Sequence, residues 1–124
     1  MTGDPLSLSL SRVVVNSVFG SRKFTDRFVR SLAARSSNQR ILEIGSGKGS
    51  NGVYPKSYKG YFDSTNEFVQ SDIISEYGHC IVDITNMEYE EDFDIILCLN
   101  VLEHVFSLKD AACNLHRAAR QSHY

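Results

Sequence analysis

Apolar and polar positions fall into short blocks along the chain, and these blocks predict strands alternating with helices or loops. Arg40 to Ile44 is a compact run in which Ile41, Leu42 and Ile44 suit an interior parallel strand, interrupted by one carboxylate, Glu43. Glu67 to Ile73 and Cys80 to Ile84 predict a second and a third strand, and Phe93 to Asn100 is the clearest, a fourth. From Ser21 to about Arg35 the pattern is helical: Phe24, Phe28, Val29 and Leu32 recur at three-to-four spacing and are expected to face the core. A helix is expected to begin near Val101. Leu108 to Ala119 predicts an amphipathic helix with Ala111, Ala112, Leu115 and Ala118 on one face. Ser11 to Phe19, with its four valines, fits helix and strand equally. Gly52 to Asp63 contains Pro55 and Gly60, so any helix there is short.

This alternation implies an α/β fold: a Rossmann-like parallel sheet flanked by helices, which binds ligands at the carboxyl ends of its strands. Polar residues collect at those ends: Glu43 to Gly49, Asp72, Asp83, and Asn100 to His104. In the first group, Gly45, Gly47 and Gly49 let the backbone approach a ligand and adopt positive φ. Glu43 is costly to bury unless paired. At the mouth of a nucleotide-type site it would repel a pyrophosphate and attract an ammonium or sulfonium group. Lys48 does not make the turn a P-loop, which needs four residues between its glycines and a Ser or Thr after the Lys. The bland readings are structural. Asp94 caps or starts the fourth strand, Tyr54, Tyr58 and Tyr61 pack over the sheet, and His79, His116 and His123 lie on the surface or at helix ends.

With 124 residues the chain makes one domain, able to bury roughly 65% of its unfolded surface. We divide it into an arm over residues 1–20 and a domain over 21–124. The net charge of −2 offers no basic excess for nucleic acid, and no apolar run is long enough to span a membrane. The start is polar and serine-rich and lacks the layout of a secretory signal. Cys80, Cys98 and Cys113 are odd in number and not in C-x-x-C spacing, so they read as reduced, mostly buried thiols of a cytoplasmic protein. No clustered metal-ligand spacing is visible.

Three stretches resemble a class I S-adenosylmethionine-dependent methyltransferase: Ile41 to Gly49, Val82 to Met87, and Phe93 to Val105 with its Val-Leu-Glu-His-Val ending. Together they cover about residues 38 to 120. The resemblance implies that backbone at Gly45, Ser46, Gly47 and Gly49 passes under the methionine part of S-adenosylmethionine, with Glu43 helping to hold its ammonium end. It implies that an acid ending the second strand grips the ribose hydroxyls; we choose Asp72, with Asp63 in Tyr61-Phe62-Asp63-Ser64 as the alternative. Asp83 would accept from the adenine amine and Ile84 would cover the ring. Asn100, Val101 and Leu102 would line the floor near the methyl group, and His104 and Glu103 are the candidates for a general base. The products would be a methylated acceptor, expected to be a small molecule, and S-adenosylhomocysteine. On this reading Glu43→Ala and Asp72→Ala weaken cofactor binding with the fold retained, and Asp63→Ala matters less.

Two alternatives stand beside it. Gly47 to Gly52 fits G-x-G-x-x-G, with Asp72 20 residues on, as in a dinucleotide-binding oxidoreductase. That match begins two residues after the first glycine and would place Glu43 against a pyrophosphate. The second alternative is a catalytically weak or inactive methyltransferase-like module that acts by binding or self-association. The family's sheet has seven strands and only four are visible here, so the fold is expected to be an incomplete version, truncated after the fourth strand and its helix. The apolar edge of that fourth strand would then be open, inviting a homo-oligomer.

Overall fold

The computed structural model describes residues 13–15, 22–51, 53–99, 105 and 107–120. In chain order they form β1 (Val13–Val15), α1 (Arg22–Ala34), β2 (Arg40–Ile44), β3 (Ser50–Asn51), β4 (Tyr54–Pro55), β5 (Glu67–Asp72), β6 (Cys80–Ile81), β7 (Ile95–Cys98) and α2 (Leu108–Ala118). Single 3-10 turns lie at Lys59–Tyr61 and Ser75–Tyr77. Five strands make one sheet in the order β1-β7-β2-β5-β6, with every pairing parallel. β3 and β4 form a separate antiparallel hairpin. The expected α/β class, a parallel sheet flanked by helices, is therefore present. No helix among the described residues is long and apolar enough to cross a membrane.

β2 and β7 are the central strands, and their apolar side chains alternate between two layers. Leu42, Ile44, Ile96 and Cys98 join Ala111, Leu115 and Ala118 of α2 in one core. Ile41, Ile95 and Leu97 join Val29, Leu32 and Ala33 of α1, with Tyr58 and Phe62, in the other. All four residues of β7 are buried, as a strand covered on both faces requires. Asp94 starts it: its Oδ2 accepts the Arg40 N–H at 2.8 Å, and its own N–H donates to the Arg40 carbonyl at 2.8 Å.

The open edge expected beside the fourth strand is corrected here. β1 pairs along β7 in the register Val13↔Ile96, Val14↔Leu97 and Val15↔Cys98, so β7 has a strand on both sides. A run of β-branched residues in a segment read as undecided becomes the strand that removes the reason for self-association at β7.

Both helices present a slightly different face from the one expected. On α1 the buried residues are Thr25, Asp26, Val29, Leu32 and Ala33, whereas Phe24 is 52% exposed. Asp26 is drawn inward by two partners, the Tyr61 hydroxyl and the Arg30 guanidinium, the latter at 2.9 Å. Burial alone would raise the Asp26 carboxyl, but those hydrogen bonds together outweigh it and hold the group below its ordinary value. On α2 the buried set is Ala111, Asn114, Leu115 and Ala118, and Ala112 faces out. Asn114 is accepted inside because its Nδ2 donates to the Ile84 carbonyl at 2.9 Å. Ser107 caps the helix, its Oγ accepting the Asp110 N–H at 3.3 Å. The thiols also differ from expectation: Cys98 is buried, but Cys80 and Cys113 are exposed.

Deleting residues 1–15 should expose the β7 edge and produce a dimer or larger species in size-exclusion chromatography with light scattering. Val13→Asp should do the same more mildly, since Val13 is 2% exposed. Two well-folded monomers would show that β1 does not guard this edge.

Candidate functional site

The strand order of the sheet reverses direction once. From β2 the chain moves outward through β5 to β6 on one side, then returns to add β7 on the other. The carboxyl ends of β2 and β7 mark the topological switch point, the place where doubly wound sheets bind their ligands. The glycine turn leaves β2 at that point. Gly45, Gly47 and Gly49 all have positive φ (74°, 61° and 79°), a conformation L side chains rarely adopt. A Cβ on Gly47 would also meet Lys56 Cδ at 3.0 Å.

Beneath the turn lies Glu43, 3% exposed, on the α1 side of β2. Its Oε1 accepts from the Ser46 hydroxyl at 2.7 Å and the Ser57 hydroxyl at 2.6 Å; its Oε2 accepts the Tyr58 N–H at 2.8 Å. Ser57 Oγ accepts in turn from Gln70 Nε2 at 3.0 Å, and Ser46 Oγ from the Ser71 N–H at 3.1 Å. One carboxylate thus fixes the glycine turn, the 57–58 loop and β5 together. Among the described residues no buried side-chain nitrogen or oxygen lacks a partner. Burial pushes the Glu43 carboxyl above its ordinary value, against the hydrogen bonds from Ser57, Tyr58 and Ser46 and the nearby His79, which pull it down.

Asp72 and His79 grip the turn from outside. Asp72, 7% exposed at the end of β5, accepts the Gly47 N–H at 2.8 Å with Oδ2 and the Ile74 N–H at 3.1 Å with Oδ1. His79 Nε2 lies 2.7 Å from the Gly47 carbonyl oxygen. A carbonyl only accepts, so Nε2 carries the proton. The placement of His79 as a plain surface residue is therefore corrected. Its sequence signal was weak, because its partner is a backbone atom 32 residues away.

The remaining expected residues separate into groups. Asp63 is exposed in the loop before β5, bonded to Thr65, at the amino end of the strands and away from the glycine turn. Asp83 follows β6 and is half-buried; the Thr85 hydroxyl and N–H, at 2.7 and 2.9 Å, hold its carboxyl below the ordinary range. Ile84 is 5% exposed and lies in the α2 core rather than on an open surface. Asn100, Val101, Leu102, Glu103 and His104 fall outside the described residues. Tyr58 packs in the core as its aromatic character suggests, but its backbone role and the polar partners Ser57, Gln70 and Ser71 carry no periodic signal in the sequence.

Two open concavities, of about 390 and 370 Å³, flank the segment that leaves β6 and share Asn86, Met87 and Glu88. Neither is lined by the glycine turn. No group of three or more His, Cys, Asp or Glu residues suited to a metal ion occurs among the described residues. A scan against protein-family models and searches of curated proteins and of solved structures find no match to this chain.

Glu43→Ala should cost about 3 kcal/mol, because it strands the buried Ser46 hydroxyl and Tyr58 N–H and removes a partner of the half-buried Ser57 hydroxyl. The fold is expected to be retained at this lower stability. Glu43→Gln isolates the charge. The folded chain holds the Glu43 proton to a higher pH than the unfolded chain, whose value is near 4.5. As pH rises from 4.5 through the raised folded value, this contribution to stability is lost. Urea unfolding of wild type between pH 4.5 and 8 should show that decline, and Glu43→Gln should flatten it; parallel profiles would refute the assignment.

Proposed function

We propose that the glycine turn binds S-adenosylmethionine and that the chain is a methyltransferase of the class I kind. The observation that carries the reading is the convergence on Gly47. A glycine-rich turn leaves the central strand at the switch point, is anchored from below by a buried carboxylate, and is gripped at its middle peptide by an acid ending the next strand. The donor set fits such a ligand. Glu43, Asp72 and Asp83 would supply negative charge for an ammonium and a sulfonium, and turn amides and Asp72 would meet a carboxylate and a ribose. When bound, the cofactor supplies a methyl carbon already activated by the positive sulfur. It would be the methyl donor to an acceptor lone pair, with S-adenosylhomocysteine as the leaving group, while the glycine turn and Asp72 would hold it. The protein's part is alignment, worth up to roughly 7–11 kcal/mol of the barrier. The balanced charge of the chain favours a small-molecule acceptor.

Two observations weigh against a dinucleotide. The turn runs into the β3–β4 hairpin rather than a helix, so no helix N-terminus faces a pyrophosphate. Glu43 and Asp72 also oppose a dianion there. A second reading has one observation in its favour: Glu43 has three donors within the protein and Asp72 two. A methyltransferase-like module that no longer turns over would keep such a network for stability alone.

Calorimetric titration with S-adenosylhomocysteine, with NAD as control, separates these readings. Binding of the first alone is expected. Asp72→Ala should weaken it at least about tenfold and Asp63→Ala should leave it unchanged. A folded protein that binds neither ligand would favour the module, and one that binds NAD alone would overturn the cofactor.

A further inference from the structure

The connection between β5 and β6 is short and does two things at once. Asp72 stands at its start and His79 at its end, and they hold opposite poles of one residue: Asp72 accepts the Gly47 N–H, while His79 donates to the Gly47 carbonyl. The connection folds back through the 3-10 turn Ser75–Tyr77 and Gly78, whose φ of 77° makes the reversal possible just before His79. Backbone and side-chain bonds fix its geometry: Tyr77 N–H to the Ile74 carbonyl at 3.3 Å, Gly78 N–H to the Ser75 carbonyl at 3.1 Å, and Ile74 N–H to Asp72.

We propose that His79 is a positioning residue for the ligand at the glycine turn: with Asp72 it clamps both peptide groups of Gly47 and sets the direction of the amides that face the ligand. The inference rests on the reading of the turn as a cofactor site. Its physical basis is freedom. A glycine at positive φ has more accessible conformations than any other residue, so a turn of three such glycines is loose unless its peptides are bonded. Glu43 holds the turn at Ser46, one residue earlier, and leaves Gly47 to the clamp. Asp72 alone fixes the N–H but leaves the next peptide, with the Gly47 carbonyl and the Lys48 N–H, able to rotate. His79 removes that rotation. The clamp lowers the ordering cost of binding without touching the ligand itself.

The reach of the side chain provides the test. In Gln the amide nitrogen occupies the place of His Nε2, whereas in Asn it is one atom shorter and matches Nδ1. His79→Gln, His79→Asn and His79→Ala are compared by three readouts: melting temperature, amide hydrogen exchange over residues 45–49, and titration with S-adenosylhomocysteine. The expected result is faster exchange and about tenfold weaker binding in Ala and Asn, at a melting temperature close to wild type, with Gln restoring both. Equal exchange and affinity in wild type and Ala would overturn the proposal, as would a Gln variant no better than Asn. Should Ala fail to fold, the Gln–Asn pair still decides. A wild type that does not bind would sink the cofactor reading, while exchange would still show whether the clamp exists.

Discussion

A carboxylate in the middle of an interior strand must be met by donors or it drives the chain apart, and that demand organises one end of this molecule. Glu43 follows Leu42 and precedes Ile44 on β2, and it is 3% exposed. Bare burial of such a group is among the most costly events in folding. The three donors that answer it come from the glycine turn and from the stretch before the Lys59–Tyr61 turn, which have little other reason to lie together. Tyr58 is positioned by the same contact: its N–H meets Glu43 while its ring packs in the α1 core, where burial pushes its hydroxyl up to about 12. Polar satisfaction and apolar packing are thus joined at one residue, and loosening either loosens both.

The sheet order then determines what this network can serve. Had β7 added outside β6, the glycine turn would open onto a continuous layer of connections. Because β7 lies on the other side of β2, the glycine turn stands at the switch point of the strand order. β1 contributes from a distance. By pairing with β7 it makes that strand interior, which suits four residues that are all buried. On the methyltransferase reading β1 stands where the family's sheet carries a later strand, so a neighbour for β7 is supplied from the other end of the sequence.

What could be read from the sequence followed physical period and composition. The apolar blocks at 40–44, 67–72 and 95–98 announced their strands because an interior parallel strand has few other compositions. The glycine turn and Asp72 were legible as a pair because positive φ and an acid at a strand end are both local facts. Features that rest on distant partners were not legible. The inner face of α1 was placed a residue early because Asp26 looks solvated until the Tyr61 hydroxyl, 35 residues on, is known to reach it. His79 looked like an ordinary surface histidine because a backbone carbonyl gives no sequence signal. Val13 to Val15 could not be assigned because three consecutive β-branched residues have no period, and only the register with β7 decides. Ile84 was placed against a ligand by resemblance, yet Asn114 draws its carbonyl, and α2 its side chain, into the core.

The charge at this end of the sheet bears on what kind of ligand the switch point favours. At an effective dielectric constant of about 20, a unit charge about 6 Å from a carboxylate is stabilised or penalised by about 3 kcal/mol, according to sign. The difference between a cationic and an anionic group is twice that, about 6 kcal/mol, or about four orders of magnitude in affinity. Glu43 adds to that charge from beneath the turn, where Ser46, Ser57 and Tyr58 donate to its carboxylate. A cation beside the turn would favour the ionised form, strengthening the bonds to Ser46, Ser57 and Tyr58 that hold the turn in place. On the proposed reading, ligand charge and turn geometry therefore reinforce each other through one buried residue that need not touch the ligand.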